Sequence, residues 1–108
     1  MDDPVQFLVD GFNTRLASDA SLRSELAGFS RTIVIELKDR RVSLRVDETG
    51  LSPISPVKKA DIYIRTTTEI LARILSGKLD PMRAYADGSF KLEASISDMW
   101  KVRKLFSA

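Results

Sequence analysis

The sequence predicts an α+β fold, one sheet with its helices layered on a single face. Two observations carry this. Apolar residues recur at helical spacing near the start, in the middle and at the end of the chain, and at a period of two between and after them. Each period-two segment shows only one apolar face, so the helices should all cover that face. With 108 residues, 44% hydrophobic and 30% charged, the chain suits one domain with one core, residues 1–108.

Asp3-Pro4 reads as a helix start, with Asp as N-cap and Pro in the first turn. Val5, Leu8, Phe12 and Leu16 then fall near one helix face, and Gly11 is a local weakness of about 1 kcal/mol against Ala. "SDASLRSELAGF" predicts a second, shorter helix with Leu22 and Leu26 inward, ended by Gly28. The period then changes. Ile33, Ile35 and Leu37 alternate with Thr32, Glu36 and Lys38; Val42, Leu44 and Val46 alternate with Arg41, Ser43, Arg45 and Asp47. These are strands with one buried and one wet face, joined by a tight turn at "KDRR". "ETGLSPISPV" is interrupted twice by proline and is at most an edge strand. "ADIYIRT" predicts another strand, with Ile62 and Ile64 on one face.

Thr66 and Glu69 stand at capping-box spacing before the apolar stripe Ile70, Leu71, Ile74 and Leu75, and Gly77 ends that helix. Asp80-Pro81 starts the next helix at once and Gly88 ends it. "SFKLEAS" is a last strand with Phe90 and Leu92 inward. "SISDMWKVRKLFSA" is a closing helix, with Ser95 and Asp98 at N-cap and N3 and with Lys101, Arg103 and Lys104 towards its C-terminal end.

Composition excludes much chemistry. There is no cysteine and no histidine, which removes thiolate catalysis, the commonest general base and the commonest zinc ligand. "SGK" at 76–78 is not a phosphate loop, because that motif needs Gly at 72 and Ser or Thr at 79, where Ala72 and Leu79 stand. Asp10, Asp39, Asp47, Glu48 and Asp61 fall at helix surfaces, turns and strand ends, and read as solvated charges and caps. Asp47, Glu48 and Thr49 do not have the spacing of a calcium loop. No cofactor is expected. Net charge is +2, and the outer strand residues mix both signs with only Tyr63 as an aromatic, so no nucleic-acid partner is expected. No apolar run approaches a bilayer span, and "MDDPVQF" lacks a signal-peptide pattern. The expectation is a soluble, cytoplasmic protein.

The closing helix is unusual. Around its wheel Ile96, Met99, Trp100, Val102, Leu105 and Phe106 leave little polar arc, so it needs apolar contacts on more than one side. A core or dimer contact satisfies that; so does a lid over a lipid, with the basic residues facing anionic head groups or a membrane surface.

Residues 58–106, with "KKAD" leading into a strand and then "LARILSGKLDPMRAYADG", a short strand and a closing amphipathic helix, resemble the SCP2 sterol-carrier (sterol-transfer) domain family. The N-terminal half matches in pattern. The resemblance implies a five-stranded mixed sheet covered on one face by helices, with an apolar tunnel between the layers. It implies binding and transfer of fatty acid, acyl-CoA, sterol or phospholipid, without catalysis. The implied lining is Ile70, Ile74 and Leu75, then Met82, Tyr85 and Ala86, then Met99, Trp100 and Phe106. Leu79 and the inward-facing Phe12, Ile35, Leu44, Ile64 and Phe90 complete the implied apolar set. Implied partners are a small lipid ligand and transient membrane-surface contact, with the protein a monomer or homodimer. The alternative is a dimerising or accessory module of a larger enzyme or quinone-biosynthesis assembly. Ala94 stands where the family often has Gly, and "LFSA" is not the peroxisomal tripeptide of some members.

Overall fold

The computed structural model describes residues 3–106, with side chains described as far as Arg103. Helix α1 spans Pro4–Ser18, and the Asp3 carboxylate accepts the Val5 N–H at 3.0 Å. That cap and Pro4 in the first turn fix where the helix begins. Val5, Leu8, Val9, Phe12 and Leu16 are its buried stripe. Helix α2 follows at Ala20–Glu25, capped by Asp19 through the Leu22 N–H. Gly28, at φ 72°, supplies the left-handed turn into the sheet.

Strands β1 (Ser30–Glu36), β2 (Arg41–Asp47) and β3 (Gly50–Pro53) form an antiparallel meander. The chain then crosses back to β4 (Ile62–Arg65), which pairs parallel to β1. After α3 (Thr68–Leu75) and α4 (Pro81–Asp87), strand β5 (Lys91–Glu93) adds antiparallel to β4, and α5 (Ile96–Phe106) closes the fold. The sheet order is β3-β2-β1-β4-β5. The proline-bearing β3 lies at an edge, where a missing N–H costs no ladder bond.

The register aligns Ile33 with Leu44 and Ile62, and Ile35 with Val42 and Ile64. This inner face packs in one cluster with Leu8 and Phe12 of α1, Leu71 and Ile74 of α3, and Val102 of α5. The fold is therefore the α+β layer pair, a five-stranded mixed sheet beneath helices.

Two local expectations need correction. The outer sheet face is not wet throughout. Val34 is fully buried there, beside Ser43 in register. The crossover 54–61 explains it: the Val57 N–H donates to the Ser43 hydroxyl at 3.3 Å, which lays this segment over the sheet centre. The cap of α3 is Thr67 rather than Thr66, with the Thr67 hydroxyl accepting the Ile70 N–H at 3.1 Å. Thr66 is buried and its hydroxyl donates instead to the Ser89 carbonyl at 2.8 Å. A tertiary partner took the residue that spacing alone assigned to the cap.

Candidate functional site

The corner formed by α4, β5 and α5 holds the site. Gly77, at φ 79°, ends α3, and the Lys78 and Leu79 N–H groups return to the Arg73 carbonyl. Asp80 then caps α4 through the Met82 N–H at 3.2 Å, with Pro81 in the first turn. Gly88, at φ 86°, ends α4, and the Ser89 and Phe90 N–H groups bond back to the Ala84 carbonyl. This tight return presses Ala84 into the core, turns Phe90 inward and aligns Leu92 with Ile64 on the inner sheet face. Asp87 accepts from the Ser89 hydroxyl and N–H, which hold its carboxyl below the ordinary range and keep it ionised beside the turn.

Helix α5 forms the opposite wall. Ser95 caps it through the Asp98 N–H at 3.1 Å. Asp98 and Val102 face inward, so Ile96, Trp100 and Arg103, at successive turns, face outward. Between the walls lies an apolar cleft of about 250 Å³, lined by Pro81, Met82, Tyr85, Phe90, Leu92, Ile96, Met99, Trp100, Val102 and Arg103. Among the described residues Arg103 is the one charged member of that lining, and its guanidinium lies 5.9 Å from the Trp100 ring centroid. The lining among the described residues is aliphatic and aromatic, with the Tyr85 hydroxyl and the Arg103 guanidinium as its polar side-chain groups. It can desolvate an apolar chain.

Five of the residues implied by the resemblance meet at this cleft: Met82, Tyr85, Phe90, Met99 and Trp100. Phe12, Ile35, Leu44, Ile64 and Ile74 are buried in the core between sheet and helices. Ile70, Leu75 and Leu79 are half-buried against that same core, and Ala86 is exposed on α4 away from the lining. Phe106 lies outside the described side chains. Pro81, Leu92, Ile96, Val102 and Arg103 also line the cleft, outside the set that the resemblance implied, although the closing-helix reading had marked Ile96, Val102 and Arg103. For Ile96 and Arg103 the signal was present: with Trp100 they stand at i, i+4 and i+7 on one helix.

A second hollow, about 220 Å³, lies on the outer sheet face among Tyr63, Arg65, Lys91 and Glu93. Its walls carry both signs of charge, and the Tyr63 hydroxyl donates to Glu36 at 3.1 Å while Arg41 stacks on the Tyr63 ring. Among the described residues no group of three His, Cys, Asp or Glu is placed to hold a metal ion, and no helix is long and apolar enough to cross a membrane.

The model of the SCP-2 sterol transfer family matches residues 12–107. The chain belongs to this family. Among solved structures, the palmitated SCP2L2 of Aedes aegypti is similar over 96% of this chain and 95% of that one, with 12% identity and a TM-score of 0.68. The UbiJ-SCP2 ubiquinone synthesis protein is similar over 87% and 84%, with 18% identity and a TM-score of 0.64. The inverting sec-alkylsulfatase Pisa1 of a Pseudomonas species contains a similar domain. The likeness covers 80% of this chain but only 14% of the sulfatase, with 22% identity and a TM-score of 0.64. At these identities the likeness speaks for the fold alone. No curated protein matches the chain by sequence.

Proposed function

We propose that this chain binds the apolar tail of a lipid in the α4–β5–α5 cleft and carries it, without catalysing a reaction. The observation that carries the reading is the lining itself: a hollow of about 250 Å³ walled by aliphatic and aromatic side chains, with Arg103 among its lining residues. Membership of a sterol transfer family and the palmitate-bearing fold relative support it.

Magnitudes set its reach. At roughly 30 Å³ per methylene-sized group, the cleft takes about eight of them. Their burial supplies roughly 6–7 kcal/mol gross. Association opposes this with on the order of 4–15 kcal/mol, so binding is weak for short chains. A palmitoyl-length tail exceeds the cleft and lies partly against the exposed Met82 and Ile96. An anionic head group is then favoured beside Arg103. Such a site discriminates chain length weakly, because each methylene contributes little.

Trp100, the sole tryptophan, reports occupancy. Titration with octanoate and palmitate should shift its emission to the blue and raise the melting temperature by mass action. Unchanged emission and melting at saturating ligand would refute the reading.

One observation favours a second reading. Ile96 and Trp100 are 78% and 64% exposed, and an apolar stripe of that kind also suits a protein contact in an accessory module. Light scattering separates the two: a dimer broken by Trp100→Glu, in a chain that takes up no lipid, selects the accessory role.

A further inference from the structure

We propose that the open edge of β5 pairs with β5 of a second copy, antiparallel about Leu92, so that two clefts meet beneath one continuous sheet. The joined chamber rests on the lipid-binding reading; the pairing of the edges does not.

The backbone sets the opening. Alternate residues of a strand turn their N–H groups to opposite neighbours. The Thr66 N–H donates to the Glu36 carbonyl of β1, so Ile62 and Ile64 face β1 while Tyr63 and Arg65 face β5. Their partners in register, Glu93 and Lys91, face back to β4. Leu92 is left with its N–H and carbonyl turned outward, and among the described residues neither has a hydrogen-bond partner. The other edge of the sheet is treated differently, since the Asn13 carboxamide takes up both backbone groups of Leu51 on β3.

Charge selects the occupant. A three-residue edge strand with charged side chains normally resists pairing. Here the order is Lys91, Leu92, Glu93. Parallel pairing in register with a second copy would set like charge on like. Antiparallel pairing about Leu92 sets Lys91 opposite Glu93 of the partner subunit, and Glu93 opposite the partner's Lys91. The strand is thus complementary to itself in one orientation only. Within one chain these charges are not neutralised: Lys91 faces Arg65 in register, and among the described residues neither Lys91 nor Glu93 forms an ion pair.

The inner face gives the pairing its use. Leu92 lines the cleft, so strands that meet at Leu92 bring the two clefts edge to edge. Ile96 and Trp100, 78% and 64% exposed, border the same cleft and come to lie beside the second copy. One cleft takes about eight methylene-sized groups and two joined take about sixteen, the length of a palmitoyl tail. The dimer therefore encloses a long tail that a single chain leaves partly in water.

The test uses the full chain in sedimentation equilibrium, with and without palmitate. Wild type should dimerise, and the Leu92 N–H should exchange more slowly as concentration rises. Lys91→Glu and Glu93→Lys each set like charges opposite one another across the pairing, and each should raise the dimer dissociation constant about tenfold. Mixed together, the two variants should dimerise again, because every facing pair is then of opposite sign. The double variant, which exchanges the two charges, should dimerise as wild type does. Neither residue lines the cleft, so octanoate binding should be unchanged throughout. The dimer should take one palmitate or two octanoates. A monomer at every concentration, with palmitate present, overturns the proposal, and octanoate binding to that monomer leaves the lipid reading standing. A dimer indifferent to the two variants, or not restored by mixing them, also overturns it. A charge-responsive dimer that takes neither ligand upholds the pairing and overturns the lipid reading. One palmitate per chain overturns the joined chamber alone.

Discussion

Arg31 on β1 and Asp98 on α5 meet through a 2.9 Å contact between Nε and Oδ2, across 67 residues of sequence. It ties the closing helix, and with it one wall of the cleft, to the centre of the sheet. The two ends differ. The Asp98 side chain is 7% exposed and the Arg31 side chain 37%, with the guanidinium also stacked 4.7 Å from the Phe29 ring centroid.

That difference makes the pair asymmetric under mutation. Removing Arg31 strands a carboxylate in the core, whereas removing the charge of Asp98 leaves a guanidinium that water can reach. Arg31→Leu should therefore cost about 2–3 kcal/mol, towards the low end for broken buried pairs. Asp98→Asn should cost about 1 kcal/mol. Urea denaturation of both variants checks the order; equal losses would show that the pair behaves as an exposed one.

Asn13 of α1 does the work of a missing strand. Its carboxamide donates to the Leu51 carbonyl at 2.9 Å and accepts the Leu51 N–H at 2.8 Å, closing the free edge of β3. Gly50 permits the approach: a Cβ there would stand 2.5 Å from Asn13 Oδ1, and its φ of 135° is one that side chains resist. Asn13→Leu should cost about 1–3 kcal/mol, as two backbone groups lose their partners. Gly50→Ala breaks the same contact, so the double variant should fall short of the sum of the two. Strictly additive costs in a double-mutant cycle would refute the shared contact.

What the sequence made legible was whatever is decided locally. Asp3-Pro4, Asp80-Pro81, Gly77 and Gly88 mark helix ends through their own dihedral limits and short side chains, and they stand where expected. Thr66, Val34 and Asn13 were not legible in their roles, because each answers to a partner distant in sequence: the Ser89 carbonyl, the crossover segment and Leu51. The site divides in the same way. Met82, Tyr85, Met99 and Trp100 lie on short helices whose neighbours were already apparent. Ile35, Leu44 and Ile64 carry the same apolar signal, and that signal is identical for a residue that packs a core and one that lines a cleft. Only the third dimension separates them.

Asp3 gives stability an acid dependence. Its carboxylate is held below the ordinary range, first by its hydrogen bond with Arg40 and further by the backbone N–H of Val5. A lowered folded-state value means that the stabilisation is fully present above the unfolded value, near 4. It is lost as pH falls through the lower folded value. Asp3→Asn removes that component, so the gap in stability between wild type and variant should narrow steadily below about pH 4. Both groups are well exposed, which keeps the ion-pair part small. The cap contributes about 1 kcal/mol, and Asn retains most of it. Thermal melts at several pH values check this, and a gap that widens in acid would reverse the sign.

Arg103 makes the last prediction, because it separates a head-group contact from mere packing. Among the described residues it is the one charge in the cleft lining, and it sits over the Trp100 ring. If it meets an anionic head group at this exposed rim, Arg103→Ala should weaken octanoate binding by about 1 kcal/mol, or roughly fivefold. Binding of octanol, with the same tail and no charge, should stay within about twofold. Trp100→Ala removes apolar wall instead and should weaken both ligands alike. Calorimetric titration of the two ligands against the three proteins decides it. An equal loss of octanoate and octanol on Arg103→Ala would assign Arg103 to holding the indole in place, and the cleft would then recognise a tail without regard to its head.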